Sequence, residues 1–249
     1  MAFGALIIGD ELLSGKRQDK HLPKMIELLG ARNLELAWAE YVGDDPARIT
    51  ATLQRTFATS DIVFSFGGIG ATPDDHTRQC AAAALGVGLA VHPEGLKELE
   101  ARFKPEGITE RRLKMIEFPE GSSIVPNPFN RIPGFSVNHH FFVPGFPEMA
   151  HPMVAWALDT KYKHLHREVR PVEHAIAVRV GESFLIDIMN AVVRDYPDLK
   201  LASLPQNIEG GYRVELSVRG DPKRVPDAMA YVRSEVAKLG FAFEELAPR

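Results

Sequence analysis

The chain has a single cysteine, Cys80. One thiol excludes an intrachain disulfide and leads to the expectation of a reducing, cytoplasmic setting. Cys80 falls in an alanine-rich stretch with helical character, where it reads as a small core residue and not as a nucleophile. No apolar run approaches the ~20 residues of a bilayer span. Residues 2–8 lack a basic leader and run straight into Gly9-Asp10-Glu11, so they read as a first strand and not a signal peptide. The charge is not one-sided: a formal net charge of −4 gives no general attraction to nucleic acid or anionic membrane, and neither is expected as a partner. The Walker pattern and the G-x-G-x-x-G fingerprint are missing. So are a Cys/His quartet for zinc and a Ser-His-Asp or Cys-His arrangement. His139 and His140 would point to opposite sides of a strand, and His164 and His166 lie in a basic, solvated stretch.

What is present is a composition of 45% hydrophobic and 25% charged residues, that of a soluble globular protein. At 249 residues the chain is long enough for one large domain and a small one. Strand patterns at 2–8, 34–42 and 62–66 alternate with helical spacing at Leu22, Met25, Ile26 and Leu29, at Ile49, Leu53 and Phe57, and over 77–85. Gly30 and Gly86 are natural helix stops. This rhythm predicts a mostly parallel sheet with helices on both faces. Residues 105–140 are less regular. Residues 140–143 read as another strand, followed by a helix to about residue 158. The stretch 162–170, rich in Lys, His and Arg, is the expected linker. From 172 to 249 the order strand, helix, two strands, helix and a last edge strand predicts a small two-layer α+β sandwich.

One stretch carries the chemistry. The apolar run 62–66 empties into Gly67-Gly68-Ile69-Gly70-Ala71-Thr72-Pro73-Asp74-Asp75-His76-Thr77. Glycines let a ligand approach backbone N–H groups, and a helix start adds unpaired donors suited to phosphate. Two carboxylates in that place repel phosphate unless a divalent cation stands between them. Ligands of open parallel sheets bind beyond the carboxyl ends of the strands. Gly9-Asp10-Glu11, Gly67–Asp75 and Pro144-Gly145-Phe146 all fall at such ends, so the fold would gather them on one edge. Asp10, Glu11, Asp44, Asp45, Asp74 and Asp75 make an acidic set near it. Helix capping is the preferred role for Asp44 and Asp45, and a functional role for Asp10 and Asp75. His76 stands open between ligand contact and plain surface. Arg78, Arg112, Lys114 and Arg131 are candidates to neutralise phosphate.

With these words in hand, residues 1–160 resemble the molybdopterin-binding-like domain, and within it the competence/damage-inducible protein A (CinA) family. The matching words are Gly9-Asp10-Glu11-Leu12-Leu13, Val42-Gly43-Asp44-Asp45, the stretch from Gly67 to Arg78, Pro126-Asn127-Pro128, Pro133-Gly134-Phe135 and Pro144-Gly145-Phe146-Pro147-Glu148-Met149. Gly181-Glu182-Ser183 and Ser203-Leu204-Pro205 resemble the KH-like module that follows. The implied organisation is a molybdopterin-binding-like α/β domain over 1–165 and a KH-like α+β domain over 172–249, without the amidase domain of longer relatives. No Gly-x-x-Gly loop is present, so the tail is expected to be structural or dimerising.

The resemblance implies a metal-dependent pyrophosphatase acting on nucleotide diphosphate compounds such as ADP-ribose, as a dimer or trimer. A divalent cation (Mg²⁺, Mn²⁺ or Co²⁺) would sit on Asp10 and Asp75, with Asp74 as a base candidate. Gly67, Gly68, Gly70 and Thr72 would cradle phosphate, with Gly9, Glu11 and Thr77 beside them, and Asn127, Pro144, Gly145 and Phe146 would line the nucleoside or pterin side. Two alternatives stay open: a protein that binds or adenylylates molybdopterin in molybdenum cofactor biosynthesis, and a non-catalytic nucleotide-binding module. The chain departs from the family at Ala71, where Pro is usual, and at Asn130-Arg131-Ile132, where small residues are usual. The second departure predicts a bulky, charged patch near the ligand.

Overall fold

The computed structural model describes residues 1–247. The last two residues of the expected second domain, Pro248 and Arg249, lie outside the described residues. The chain divides into two compact units, Met1–His166 and Arg167–Arg249.

In the first unit, β1 (Phe3–Ile8) is buried along its whole length, as an apolar run in a parallel sheet should be. A short α1 (Asp10–Leu13) and α2 (His21–Gly30) lead to β2 (Leu36–Val42). Next come α3 (Pro46–Phe57), β3 (Ile62–Phe66) and α4 (Thr77–Leu85), which closes on Gly86 in the left-handed conformation. The stretch expected to be less regular is ordered. After β4 (Leu89–Val91) and α5 (Pro93–Phe103), it holds α6 (Glu110–Lys114), β5 (Glu117–Pro119) and β6 (Ser123–Val125). The unit ends with β7 (Gly134–Val137), β8 (His140–Val143) and α7 (Pro147–Thr160).

The main sheet has the order β2-β1-β3-β8-β7-β6. β2, β1, β3 and β8 run parallel, β7 lies antiparallel to β8, and β6, antiparallel to β7, resumes the common direction. Alternation along β1 builds two cores. Ala5 and Ile7 pack with Met25, Leu29, Val154 and Leu158 of α2 and α7. Leu6 and Ile8 pack with Ile49, Leu53, Cys80 and Leu99 of α3, α4 and α5. Cys80 is buried, and that burial pushes its thiol up, as expected of an inert core residue.

The expected linker is partly core. Tyr162 is buried, and His166 donates from Nε2 to the Leu158 carbonyl at 3.0 Å, so His166 is docked on the end of α7 and not simply solvated.

The second unit carries β9 (Val172–Val178), a 3-10 turn at Glu182–Leu185, α8 (Ile186–Asp195), β10 (Lys200–Ile208), β11 (Gly211–Gly220), α9 (Val225–Lys238) and β12 (Phe243–Glu245). The helix expected from residue 182 thus opens with a 3-10 turn. The antiparallel sheet β10-β11-β9-β12 packs Ile176, Val178, Val214, Leu216 and Val218 against Ile188, Val192, Met229 and Val232 of the two helices. Among the described residues no helix is long and apolar enough to cross a membrane.

Candidate functional site

Strand order reverses its direction of growth between β1 and β3, which is where an open α/β sheet forms a crevice. The backbone is drawn together there. The Gly9 N–H donates to the Val42 carbonyl and the Gly67 N–H to that of Val143, each at 3.0 Å. The carboxyl ends of β2, β1, β3 and β8 are thereby aligned. A cavity of about 430 Å³ opens above them.

Its wall is the glycine turn, Gly67 to Thr72. Gly67 has φ +97°, and a Cβ there would stand 2.5 Å from the Ile8 carbonyl oxygen. Gly68 has φ +68°, and its Cβ would strike the Thr77 hydroxyl. Both positions therefore demand glycine. Asp75 closes the turn: its Oδ2 accepts the Thr72 N–H at 2.8 Å and the Thr72 hydroxyl at 2.5 Å. Buried Arg78 fastens the turn from below, donating to the carbonyls of Gly70 (2.6 Å), Glu117 (3.2 Å) and Lys114.

The lining also holds Gly145, which packs against Gly67, and Phe146, Met149, Met115 and Ile132, apolar groups suited to a flat ring. The acidic side is formed by Glu11, Asp44, Asp74 and Asp75. Burial, with the negative field of Asp10, Glu11 and Asp74, pushes the Asp44 carboxyl up, despite the hydrogen bond it accepts from the Asp10 N–H. Such crowding favours a cation among these oxygens. Among the described residues, however, no group of three or more His, Cys, Asp or Glu could hold a metal ion by itself. These carboxylates therefore do not form a dedicated protein cage for a metal.

Of the residues singled out from sequence, Gly9, Glu11, Gly67, Gly68, Gly70, Thr72, Asp74, Asp75, Asn127, Pro144, Gly145 and Phe146 all line this cavity. Asp10 does not. Its Oδ1 accepts the Asp44 N–H at 3.1 Å, and it lines a separate crevice with Glu40 and Arg48. Asp10 and Asp75, paired in expectation, therefore line different recesses, whereas Asp44, Asp74 and Asp75 share the main cavity. The capping expectation also divides: Asp45 caps α3 through the Arg48 N–H at 2.8 Å, while Asp44 faces the cavity.

Thr77 is fully buried and donates its hydroxyl to the Gly67 carbonyl at 3.0 Å, so it braces the turn and does not line the cavity. Asn127 lines the cavity, but its amide is engaged by the Ile132 carbonyl and by Asn130, and its oxygen by the Phe129 N–H. It holds its own loop. Arg131 bonds Glu98 and Arg112 lies over the Phe103 ring, and neither lines the cavity, nor does Arg78; the departures that reach it are Ala71, Asn130 and Ile132, so the expected patch there is bulky but not charged. His76 starts α4 without lining the cavity. Arg17 was missed by sequence reasoning and is a cation of the lining, 3.8 Å from Glu11. The available signal was the basic Lys16-Arg17 pair behind Gly15.

A mostly parallel sheet with a glycine-walled, acidic cavity at its switch point defines an α/β domain with a recess of small-molecule size. The chain belongs to the probable molybdopterin binding domain family, whose model matches residues 4–164. It is similar to a CinA-like protein of Anaeromyxobacter sp., 39% identical over 134 residues, covering 53% of this chain and 33% of that protein. It is also similar to a CinA-like protein of Dictyoglomus thermophilum, 27% identical over 235 residues, covering 90% of this chain and 56% of that one. The chain thus spans a third to about half the length of these relatives. The crystal structure of a CinA protein from Thermoplasma acidophilum shares the fold, with a TM-score of 0.57 at 24% identity over 65% of this chain and 98% of that one.

Proposed function

We propose that the cavity binds a pyrophosphate-linked nucleotide and that the chain hydrolyses it with a divalent cation, as an ADP-ribose-like pyrophosphatase. The observation that carries this reading is the meeting of an anion-accepting glycine turn with Glu11, Asp44, Asp74 and Asp75 on one cavity. Carboxylates and phosphates repel unless a cation joins them. Asp44 and Asp74 would hold Mg²⁺, Mn²⁺ or Co²⁺ together with the ligand's phosphates. When bound, the ion would supply charge neutralisation and a water of lowered pKa. The protein's own part is orientation. Backbone N–H groups of Gly68 to Ala71 receive phosphate oxygens, Asp75 fixes Thr72, and Met115, Ile132, Met149 and Phe146 receive the ring.

A second reading, a protein that binds or adenylylates a pterin phosphate, is supported by the family match over residues 4–164. The same turn and acidic side would serve it. The deciding experiment offers ADP-ribose, FAD and NAD with each metal and an EDTA control. Metal-dependent AMP release that is lost in Asp74→Asn is the expected result. Silence across the panel, with a pterin phosphate bound much more tightly than ADP-ribose in calorimetry, would transfer the assignment to pterin handling. Nucleotide binding without product would leave a non-catalytic module.

A further inference from the structure

Beside the main cavity lies a second one of about 420 Å³. The two share Ile8, Glu11, Arg17, Gly145 and Phe146, so they are lobes of one recess. Their linings differ in sign. The main lobe sets four carboxylates against Arg17, whereas the second sets Lys16, Arg17 and Lys20 against Glu11.

Asp19 is engaged by the N–H groups of His21 and Leu22 and by the Tyr41 hydroxyl. Among the described residues no carboxylate pairs with Lys16 or Lys20. His21 also lines the lobe, with its ring stacked on Phe66 at 4.6 Å and Nε2 donating to the Gly145 carbonyl at 3.2 Å. Its burial disfavours the charged form, so the positive field comes from the three flexible side chains.

We infer that this basic lobe is a subsite for a phosphate monoester carried by the ligand beyond its pyrophosphate. The inference rests on the proposed function, which puts the pyrophosphate and its cation in the main lobe. A pyrophosphate placed there is neutralised by its own cation, Arg17 faces Glu11, and the charge of Lys16 and Lys20 is left for another anion. Half-exposed Phe146 and Gly145 form the wall common to both lobes, so a ligand reaching from one to the other passes over them. A terminal phosphate gives the two lysines and Arg17 the charge-assisted partners that a neutral sugar lacks.

The test measures calorimetric affinity for ADP-ribose, ADP-ribose 2'-phosphate and ADP-ribose 1''-phosphate, with Ca²⁺ replacing Mg²⁺ to slow turnover, and cleavage of each with Mg²⁺ in parallel. One phosphorylated ligand should bind about tenfold more tightly than ADP-ribose, the size of one charge-assisted contact. The double variant Lys16→Gln/Lys20→Gln should lose that gain while keeping the affinity and turnover of ADP-ribose. Cleavage of ADP-ribose with no gain from either phosphate, or a gain that survives in the double variant, overturns the subsite alone. Tighter binding without any cleavage overturns the hydrolytic reading and leaves the subsite standing. No binding by any of the three overturns both.

Discussion

Asp74 and Asp75 are neighbours with different work. Asp75 holds Thr72 through two hydrogen bonds, whereas Asp74 is fully exposed on the cavity's acidic side. Asp75→Asn should therefore lower stability by about 1–2 kcal/mol in urea denaturation, because the turn loses a charged acceptor. Asp74→Asn should leave stability within about 0.5 kcal/mol and remove metal-dependent turnover. Full turnover in Asp74→Asn would discard its place beside the cation. At this scale the sequence displayed the glycines, since Gly67 and Gly68 follow a buried run and precede a helix. It gave Asp44 to capping and Asp10 to the site, whereas Asp44 lines the cavity and Asp10 does not. Each heads an acidic pair before a helix, and only the pairing of Ile8 with Val42 brings the two aspartates together, where each accepts the other's N–H.

Elements built from regular periodicity were legible, and those built from exceptions were not. Helix α5 shows only Gly95 and Leu99 as buried residues among a mostly charged surface, so its stripe is thin. Leu99 nevertheless sits fully buried in the second core. Leu99→Ala should cost about 3 kcal/mol, read from the denaturation midpoint. A cost below 1 kcal/mol would mean that α5 is not anchored there. The β7–β8 hairpin turns on Asn138 and His139, both at positive φ (46° and 61°), between the paired Val137 and His140. That conformation is usually announced by Asn-Gly. With His139 in the second position the sequence gives no such notice, and the antiparallel return of the sheet was hidden with it.

For the molecule as a whole, stability should depend on acid through buried imidazoles. Burial pushes His140 down from 6.5 to about 4, and the same cause lowers His21 and His151. In the unfolded chain His140 binds its proton near 6.5, while the folded chain refuses it until about 4. Stability is therefore intact above 6.5 and falls as pH drops towards 4, by up to about 3 kcal/mol for this residue. His140→Phe, which keeps a ring against Phe57, should flatten that decline when urea midpoints are compared at pH 7 and pH 4.5. An unchanged decline would place the acid sensitivity elsewhere. The amino-acid sequence by itself determined the alternation of strands and helices, the glycine turn and the family words, because these depend on neighbours within a few residues. Which acids share the cavity, that Arg17 enters it, and that Thr77, Arg78 and Asn127 brace backbone were decided only by tertiary structure. Strand register and buried carbonyls select partners tens of residues apart, and local pattern carries no record of that choice.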